Sequence, residues 1–147
     1  MLTSIPTFTG RFEHSLDDKG RLTIPARLRA RLGDHFVLTI APPEPCLAMY
    51  PEVTWAEFCS KLQSAGRKDI QYRNFVRHLF AHTEEASLDG QGRLIVPPAL
   101  RDFAAIGRDA VLVGALTRVE LWSSHNWEDA GRPPDGMADL MTELGLY

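Results

Sequence analysis

The sequence predicts a β-rich α+β fold in which one small module occurs twice, with helices connecting the two copies. Three observations predict it. A segment of 15 residues recurs 72 positions later with nine identical residues. The same order of short, alternating strand patterns follows each copy, which indicates a duplicated module. Between the copies, apolar residues recur every three or four positions, which is the spacing of a helix that buries one face.

The duplication is clearest in the segments 15–29 and 87–101. It continues more loosely beyond them, and Trp55 corresponds to Trp127 at the same separation of 72 residues. An ordered series of matches at one separation is typical of an internal repeat. Small modules are marginal alone because a short chain buries a small share of its surface. We therefore expect the copies to pack on each other or on neighbouring subunits.

Each copy is expected to contain four short strands and one short helix. Phe12, His14 and Leu16 alternate as in a half-exposed strand, and residues 17–20 form a turn. Pro25 ends the returning strand and suits the first position of a helix. The predicted strands are 10–16, 21–24, 36–41 and 46–50 in the first copy and 83–88, 93–97, 110–115 and 118–122 in the second, and the predicted helices are 26–32, 52–64, 68–82 and 98–104.

The pattern divides the chain into four parts. They are a first module at 11–54, connecting helices at 55–82, a second module at 83–126 and an acidic C-terminal tail at 127–147. Prolines and glycines at 131–136 indicate a linker within the tail. The last ten residues are expected to form a weak acidic helix or no fixed structure.

The composition is that of an ordinary globular protein, with 44% hydrophobic and 24% charged residues. The net charge of −3, taken alone, argues against a nucleic-acid partner, but the charges are unevenly distributed. Lysine and arginine outnumber acids by six to three in 11–31 and by five to one in 61–82, while 128–147 has five acids and one arginine. Two basic stretches and an acidic tail permit a positive face on an acidic protein.

Several classes of protein are disfavoured. Cys46 and Cys59 are too few for a disulfide scaffold, which favours a reducing compartment. The N-terminal residues lack the pattern of a signal peptide, and no apolar run approaches the ~20 residues of a membrane span. We therefore expect a cytoplasmic protein with no membrane partner.

The motif Asp-x-x-Gly-Arg occurs once in each copy, as Asp17–Arg21 and as Asp89–Arg93. We expect the aspartate to accept backbone N–H groups in a tight turn and to face the guanidinium four residues on. Gly20 and Gly92 are free to take positive φ in this turn. A forked cation fixed at a protruding tip suits a DNA phosphate or the guanine edge in the major groove. The alternative is an ion pair that only stabilises the turn.

Basic residues flank the first motif more densely than the second. Lys19 lies in the first turn and Arg27 lies in the helix that follows, so both are candidates for DNA contact, while Arg29 lies on a different face of that helix. The second copy has Gln91 for Lys19 and Ala99 for Arg27. We therefore expect the first copy to contribute more DNA affinity.

The sequence gives little support for metal binding, a cofactor or catalysis. His78 and His82 are one helical turn apart, but no third metal ligand accompanies them. No nucleophile–base pair, phosphate loop or pair of acids stands out, so neither a metal, a cofactor nor an enzyme activity is expected. The basic residues within 67–77 either contact DNA or cover a subunit face, and the sequence leaves both possibilities open.

The doubled motif and its flanking residues resemble the MraZ family. The segments that carry the resemblance are 8–10, 16–25, 45–47, 82–85 and 88–93, and the similarity extends over about residues 8–127. The family's modules are of the AbrB-like, swapped-hairpin type, so the resemblance implies a small barrel of β modules with connecting helices. The first few residues and the acidic tail lie outside it.

The resemblance also implies a function. Members of the family are bacterial transcriptional regulators, mainly repressors of their own operon and of the division and cell-wall gene cluster that it heads. They form closed homo-oligomeric rings and bind short direct repeats in promoter DNA. The resemblance thus implies a nucleoid-associated protein in which Arg21 and Arg93 contact double-stranded DNA, Lys19 helps, and Asp17 and Asp89 orient the arginines.

A ring is also favoured independently. Strand-rich modules with open edges invite pairing, and closed assembly removes exposed edges. The alternative function is a protein-interaction or structural oligomer without DNA specificity, whose turns pair between subunits.

Overall fold

A computed structural model describes residues 5–146, which form eight strands and six helices. The strands are β1 (Arg11–Ser15), β2 (Arg21–Thr23), β3 (His35–Ile40), β4 (Leu47–Pro51), β5 (Glu84–Ser87), β6 (Arg93–Ile95), β7 (Asp109–Ala115) and β8 (Arg118–Ser123). The helices are α1 (Ala26–Leu32), α2 (Glu52–Gln63), α3 (Ile70–Ala81), α4 (Pro98–Phe103), α5 (Ser124–Ala130) and α6 (Met137–Glu143). In this part of the chain, no helix has the length and apolar character that crossing a membrane requires.

The strands form a six-stranded antiparallel sheet, in the order β1-β7-β8-β4-β3-β5, and a separate two-stranded ribbon of β2 and β6. Strand β1 of the first module pairs with β7 of the second, and β5 of the second module pairs with β3 of the first. The strands on either side of each predicted turn therefore pair with the other module rather than with each other. This exchange is the swapped-hairpin arrangement that the family resemblance implies.

A local twofold axis relates the two modules. In the ribbon Leu22 lies opposite Leu94, and in the sheet Ala48 lies opposite Glu120. The residues of each pair are repeat equivalents, 72 positions apart. A residue pairs with its own equivalent only where the axis passes, so the axis runs through the centre of the ribbon and the centre of the sheet. The fold is therefore that of a symmetric dimer whose halves are joined in one chain.

The ends of the ribbon strands follow from local sequence. Gly20 and Gly92 have φ values of +75° and +73°, in the left-handed region that costs glycine little. Pro25 and Pro97 come just after the ribbon strands and immediately before α1 and α4. Because proline has no N–H to donate, it ends the pairing and leads the chain into a helix.

Helix α5 lies where no helix is predicted. The side-chain oxygen of Ser123 caps it by accepting a hydrogen bond at 3.0 Å from a backbone N–H of the first turn. The ring centroid of Trp127 lies 5.9 Å from that of Trp122, just as Trp55 of α2 lies 5.5 Å from Tyr50. Helix α5 is therefore the counterpart of the start of α2, and it spans the predicted boundary between the second module and the tail.

The central sheet is buried on both faces. Alternate side chains of β3, β4 and β8 enter two separate apolar clusters. The larger cluster also contains the inward residues of the ribbon, Leu22 and Leu94. The smaller cluster is covered by Trp55 and Trp127. The ribbon is therefore fixed across one face of the sheet, with its other face toward solvent.

The predicted fold class is confirmed: a strand-rich α+β module occurs twice, and its elements follow the predicted order. Strands β1 and β5 are the two edges of the sheet, so the pairing within residues 5–146 gives an open sheet and a ribbon, and closure into a small barrel stays a prediction. The module boundaries at 11–54 and 83–126 stay a prediction, because the exchanged strands interleave the two modules. Of the two alternatives expected for the end of the tail, a weak helix or no fixed structure, the structure has the helix, as α6.

Candidate nucleic-acid interface

Four side chains form the solvent side of the ribbon, which we call the ribbon face: Arg21, Thr23, Arg93 and Ile95. Arg21 lies opposite Ile95 on the neighbouring strand, and Thr23 lies opposite Arg93. The two arginines are thus diagonal neighbours, a relation in which residues of antiparallel strands lie about 7–8 Å apart. The fold brings together two arginines that are 72 positions apart in the sequence.

An aspartate fixes each of these arginines in the same way. Asp17 Oδ1 accepts hydrogen bonds from the backbone N–H groups of Lys19 and Arg21, both at 2.9 Å. Its Oδ2 accepts the Nε–H of Arg21 at 2.6 Å. Asp89 repeats all three contacts in the second module, with Nε of Arg93 at 2.8 Å. One carboxylate therefore orders the turn and also holds the guanidinium by one edge.

The other edge of each guanidinium faces away from the aspartate. Among the described residues, no hydrogen bond from Nη1 or Nη2 of Arg21 or Arg93 is found. The two side chains remain 30% and 26% exposed. Both Nη amino groups are therefore available to a ligand, in the forked geometry that matches a phosphate or a guanine edge.

The turns favour the ionised form of both carboxyl groups. The hydrogen bond from the Arg21 backbone N–H lowers the pKa of Asp17, against a smaller opposing effect of lost solvent and with help from the Arg21 guanidinium. The backbone N–H of Arg93 lowers the pKa of Asp89 in the same way. Donors that bind a carboxylate stabilise its charged form. The guanidiniums are therefore held by aspartates that stay charged at neutral pH.

Acid is expected to destabilise the fold through these two carboxylates. Because folding lowers both pKa values, the ionised groups stabilise the folded chain at any pH above their unfolded pKa of about 3.9. This stabilisation is lost as the pH falls through the lowered folded values. We expect the free energy of unfolding, measured in urea, to fall less steeply below about pH 4 for Asp17→Asn/Asp89→Asn than for the unsubstituted chain.

The substitution Asp18→Asn is the matched control, since it removes an exposed carboxylate from the same turn. It should keep the steeper acid dependence. Identical curves for the double variant and the unsubstituted chain would show that these aspartates do not stabilise the fold.

Two further arginines approach the turns of the opposite module. A methyl group on Gly20 would lie 3.2 Å from Cζ of Arg101, and a methyl group on Gly92 would overlap the guanidinium of Arg29. Arg29 and Arg101 are repeat equivalents on α1 and α4, so the contact is made twice. The positive φ favours glycine at both turns, and a larger residue there would also displace these flexible guanidiniums. In the sequence, Arg29 and Arg101 stand out only because both occupy the last position of the repeated segment. That position alone does not indicate what either arginine does.

Lys19 and Arg27 occupy different surroundings. The Lys19 residue is exposed in the first turn. The Cζ atom of Arg27 lies 5.7 Å from the ring centroid of Phe12, and its Nη2 lies 3.5 Å from Oγ1 of Thr9. Arg27 is therefore packed on the chain that leads into β1 and on β1 itself, and its contact with DNA stays a prediction.

The histidine pair lies at the end of α3. The ring centroids of His78 and His82 are 4.6 Å apart, and Nδ1 of His82 lies 2.8 Å from the carbonyl oxygen of His78. Within the range 5–146, no cluster of three or more potential metal-ligating side chains is found. The His82 contact is that of a side chain at a helix C-terminus.

The chain matches one family model twice, over residues 7–78 and 79–132, and the description of that family is "MraZ protein, putative antitoxin-like". The chain belongs to the MraZ family. The family predicted from the doubled motif is thus confirmed, and the two MraZ matches correspond to the two repeats.

Curated relatives agree with the MraZ assignment over nearly the whole chain. A protein of Moorella thermoacetica is 42% identical over 136 residues, which are 92% of this chain and 94% of the relative. A protein of Desulforamulus reducens is 43% identical over 121 residues, covering 82% and 84% of the two chains. A protein of Syntrophomonas wolfei is 39% identical over 143 residues, covering 95% and 99%. All three are named transcriptional regulator MraZ.

Proposed function

We propose that this chain is a transcriptional regulator that binds double-stranded DNA through the ribbon face. One observation carries the proposal: on the two-stranded ribbon, Arg21 and Arg93 are each held by Nε, remain 30% and 26% exposed, and make no Nη hydrogen bond to any described residue. The major groove of B-DNA is about 12 Å wide and admits such a ribbon. There the two guanidiniums bind guanine edges or phosphates, and Lys19 adds a further cation from the adjoining turn.

The regulatory role is supported by the relatives, which are named transcriptional regulators. By the family resemblance, the chain acts mainly as a repressor of its own operon and of the division and cell-wall genes, in the cytoplasm and on the nucleoid. It works as a ring of identical subunits on short direct repeats. Linked contacts raise avidity by roughly 10²–10⁴ over a single contact, so weak individual sites suffice. The bound ring then excludes polymerase from the promoter.

Removal of both ribbon arginines is expected to abolish specific binding. Each interaction with a base or phosphate that Arg21→Ala/Arg93→Ala removes costs about 1–3 kcal/mol of binding free energy. The fold should survive, because Asp17 and Asp89 still accept the backbone N–H groups of their turns. The measurement is a gel shift with the DNA immediately upstream of the protein's own gene, in the presence of excess competitor DNA.

The control is Arg132→Ala, which removes an arginine paired with Asp129 at 3.2 Å, after α5 and outside the ribbon face. It should bind DNA as the unsubstituted protein does. Affinity should also fall with salt, with a log–log slope of about −0.9 for each phosphate neutralised. Undiminished binding by the double arginine variant, or binding that ignores salt, contradicts the proposal.

The alternative is an interaction oligomer whose turns pair between subunits. Exposed apolar side chains on α3 favour it, since Ile70 is 60% and Phe75 44% exposed. Size-exclusion chromatography of Arg21→Ala/Arg93→Ala distinguishes the two functions. An intact assembly that no longer binds DNA supports the regulator, whereas loss of the assembly in a protein that never bound DNA supports the alternative.

A further inference from the structure

One of the four side chains of the ribbon face, Ile95, is large and apolar. Ile95 is 62% exposed and lies directly opposite Arg21, with Thr23 and Arg93 as the other members of the face. Strands favour β-branched residues, and an isolated exposed isoleucine needs no special cause. This one, however, neighbours both arginines proposed to bind DNA, Arg21 across the ribbon and Arg93 two residues away on its own strand, where a bound duplex covers it.

The ribbon face is symmetric in its cations and asymmetric in its uncharged side chains. The local twofold axis at Leu22 and Leu94 exchanges Arg21 with Arg93, and it exchanges Thr23 with Ile95. One half of the face therefore presents a hydroxyl and a single methyl group, while the other presents a larger and wholly apolar side chain.

We infer that Ile95 is a specificity-determining residue that contacts the 5-methyl group of a thymine in the major groove, beside the nucleotide bound by Arg21. This inference rests on the proposed function. The thymine methyl is the apolar group that a base pair presents in the major groove, and apolar side chains are its usual partners. Thr23 is shorter and carries a hydroxyl, so it makes no methyl contact of equal size. Each chain therefore recognises an asymmetric DNA sequence, although the backbone of the protein is nearly twofold symmetric.

The expected effect has the size of one buried methyl group. Removal of a methyl from an apolar contact lowers affinity about fourfold per contact. Uracil is the suitable probe, because it pairs with adenine as thymine does and lacks only the 5-methyl group.

The test starts from duplexes that the full-length protein selects out of a random-sequence library. Each thymine of the selected DNA sequence is replaced by uracil, one at a time, and the affinity of the protein for each duplex is measured. We expect one replacement to weaken binding by about fourfold or more and the others to leave it unchanged. In Ile95→Thr, which keeps a β-branched residue on the strand but has a single side-chain methyl group, this sensitivity should become smaller. In the reciprocal variant Thr23→Ile, a second thymine should become preferred at the position related by the twofold axis.

The outcomes separate this inference from the proposed function. Equal affinity for thymine and uracil at every position, with binding that still requires Arg21 and Arg93, overturns the role of Ile95 alone. If no duplex is enriched, or if Arg21→Ala/Arg93→Ala binds as well as the unsubstituted protein, both fail. A changed subunit number in Ile95→Thr, measured by light scattering, with the uracil sensitivity retained, shows that a second copy covers Ile95 and also overturns the inference.

Discussion

Replacement of both Leu22 and Leu94 by alanine is expected to remove most of the stability of the fold. These side chains are 0% and 2% exposed and lie opposite each other on the local twofold axis. A buried leucine cut back to alanine costs about 2–5 kcal/mol, including the cavity left behind. Two such losses approach the total stability of a domain of this size, which is about 5–15 kcal/mol. Because the residues are neighbours, their cavities merge and the two costs do not simply add.

Urea denaturation of the two single variants and the double variant measures both the decrease in stability and the coupling between the sites. We expect one transition for the whole chain, since the ribbon belongs to both modules. Ile95→Ala is the matched control on the same ribbon, and it should change the free energy of unfolding by about 0.5 kcal/mol or less because the side chain is exposed. A double variant as stable as this control, or two separate transitions, would show that the ribbon does not unite the modules.

Gly114→Ala is expected to release the segment that precedes β1 from the sheet. The added methyl would lie 2.6 Å from the carbonyl carbon of Phe8 and closer still to the amide nitrogen of Thr9. These are backbone atoms, so no side-chain rotation relieves the overlap. The segment must move, which breaks the hydrogen bond from the Phe8 N–H to the Leu116 carbonyl and exposes a phenylalanine that is now 2% exposed. The destabilisation should approach the cost of Phe→Ala in a core, about 3–5 kcal/mol.

Gly107→Ala is the control for this substitution, because a methyl there meets nothing within 4 Å. Thermal denaturation should separate the two variants clearly. Hydrogen exchange should show faster exchange at the amide of Phe8 in Gly114→Ala only. Equal stability of the two variants would mean that the backbone at Thr9 adjusts while the packing is kept.

Local sequence features predict the element order because they act over a few residues. The turn at 17–20 depends on Asp17 and Gly20, and the end of β2 before α1 depends on Pro25. Because these residues lie within the elements that they determine, a short stretch of sequence is enough to predict both features. Because the same residues recur in the second copy, they predict the same elements there. Helix α5 is the exception, since its seven residues include one large apolar side chain, Trp127, and show no periodicity.

Strand partners depend on contacts that no local pattern contains. The alternation in β1 suits pairing with β2 or with β7 equally, and the exchange is implied by the family resemblance rather than by periodicity. The same holds for the arginines of α1. Helical spacing separates Arg27 from Arg29, but only the exchanged fold places Arg27 on Phe12 and Arg29 against Gly92 of the other module.

The intrachain exchange of strands also has a consequence for the protein at low copy number. Two separate chains interlocked in this way would come apart on dilution, because their encounter would depend on concentration. Here α2 and α3 tether the halves, so the encounter of one half with the other is intramolecular and does not depend on the protein concentration. The interlocked unit therefore stays whole even when a cell holds only a few molecules of it.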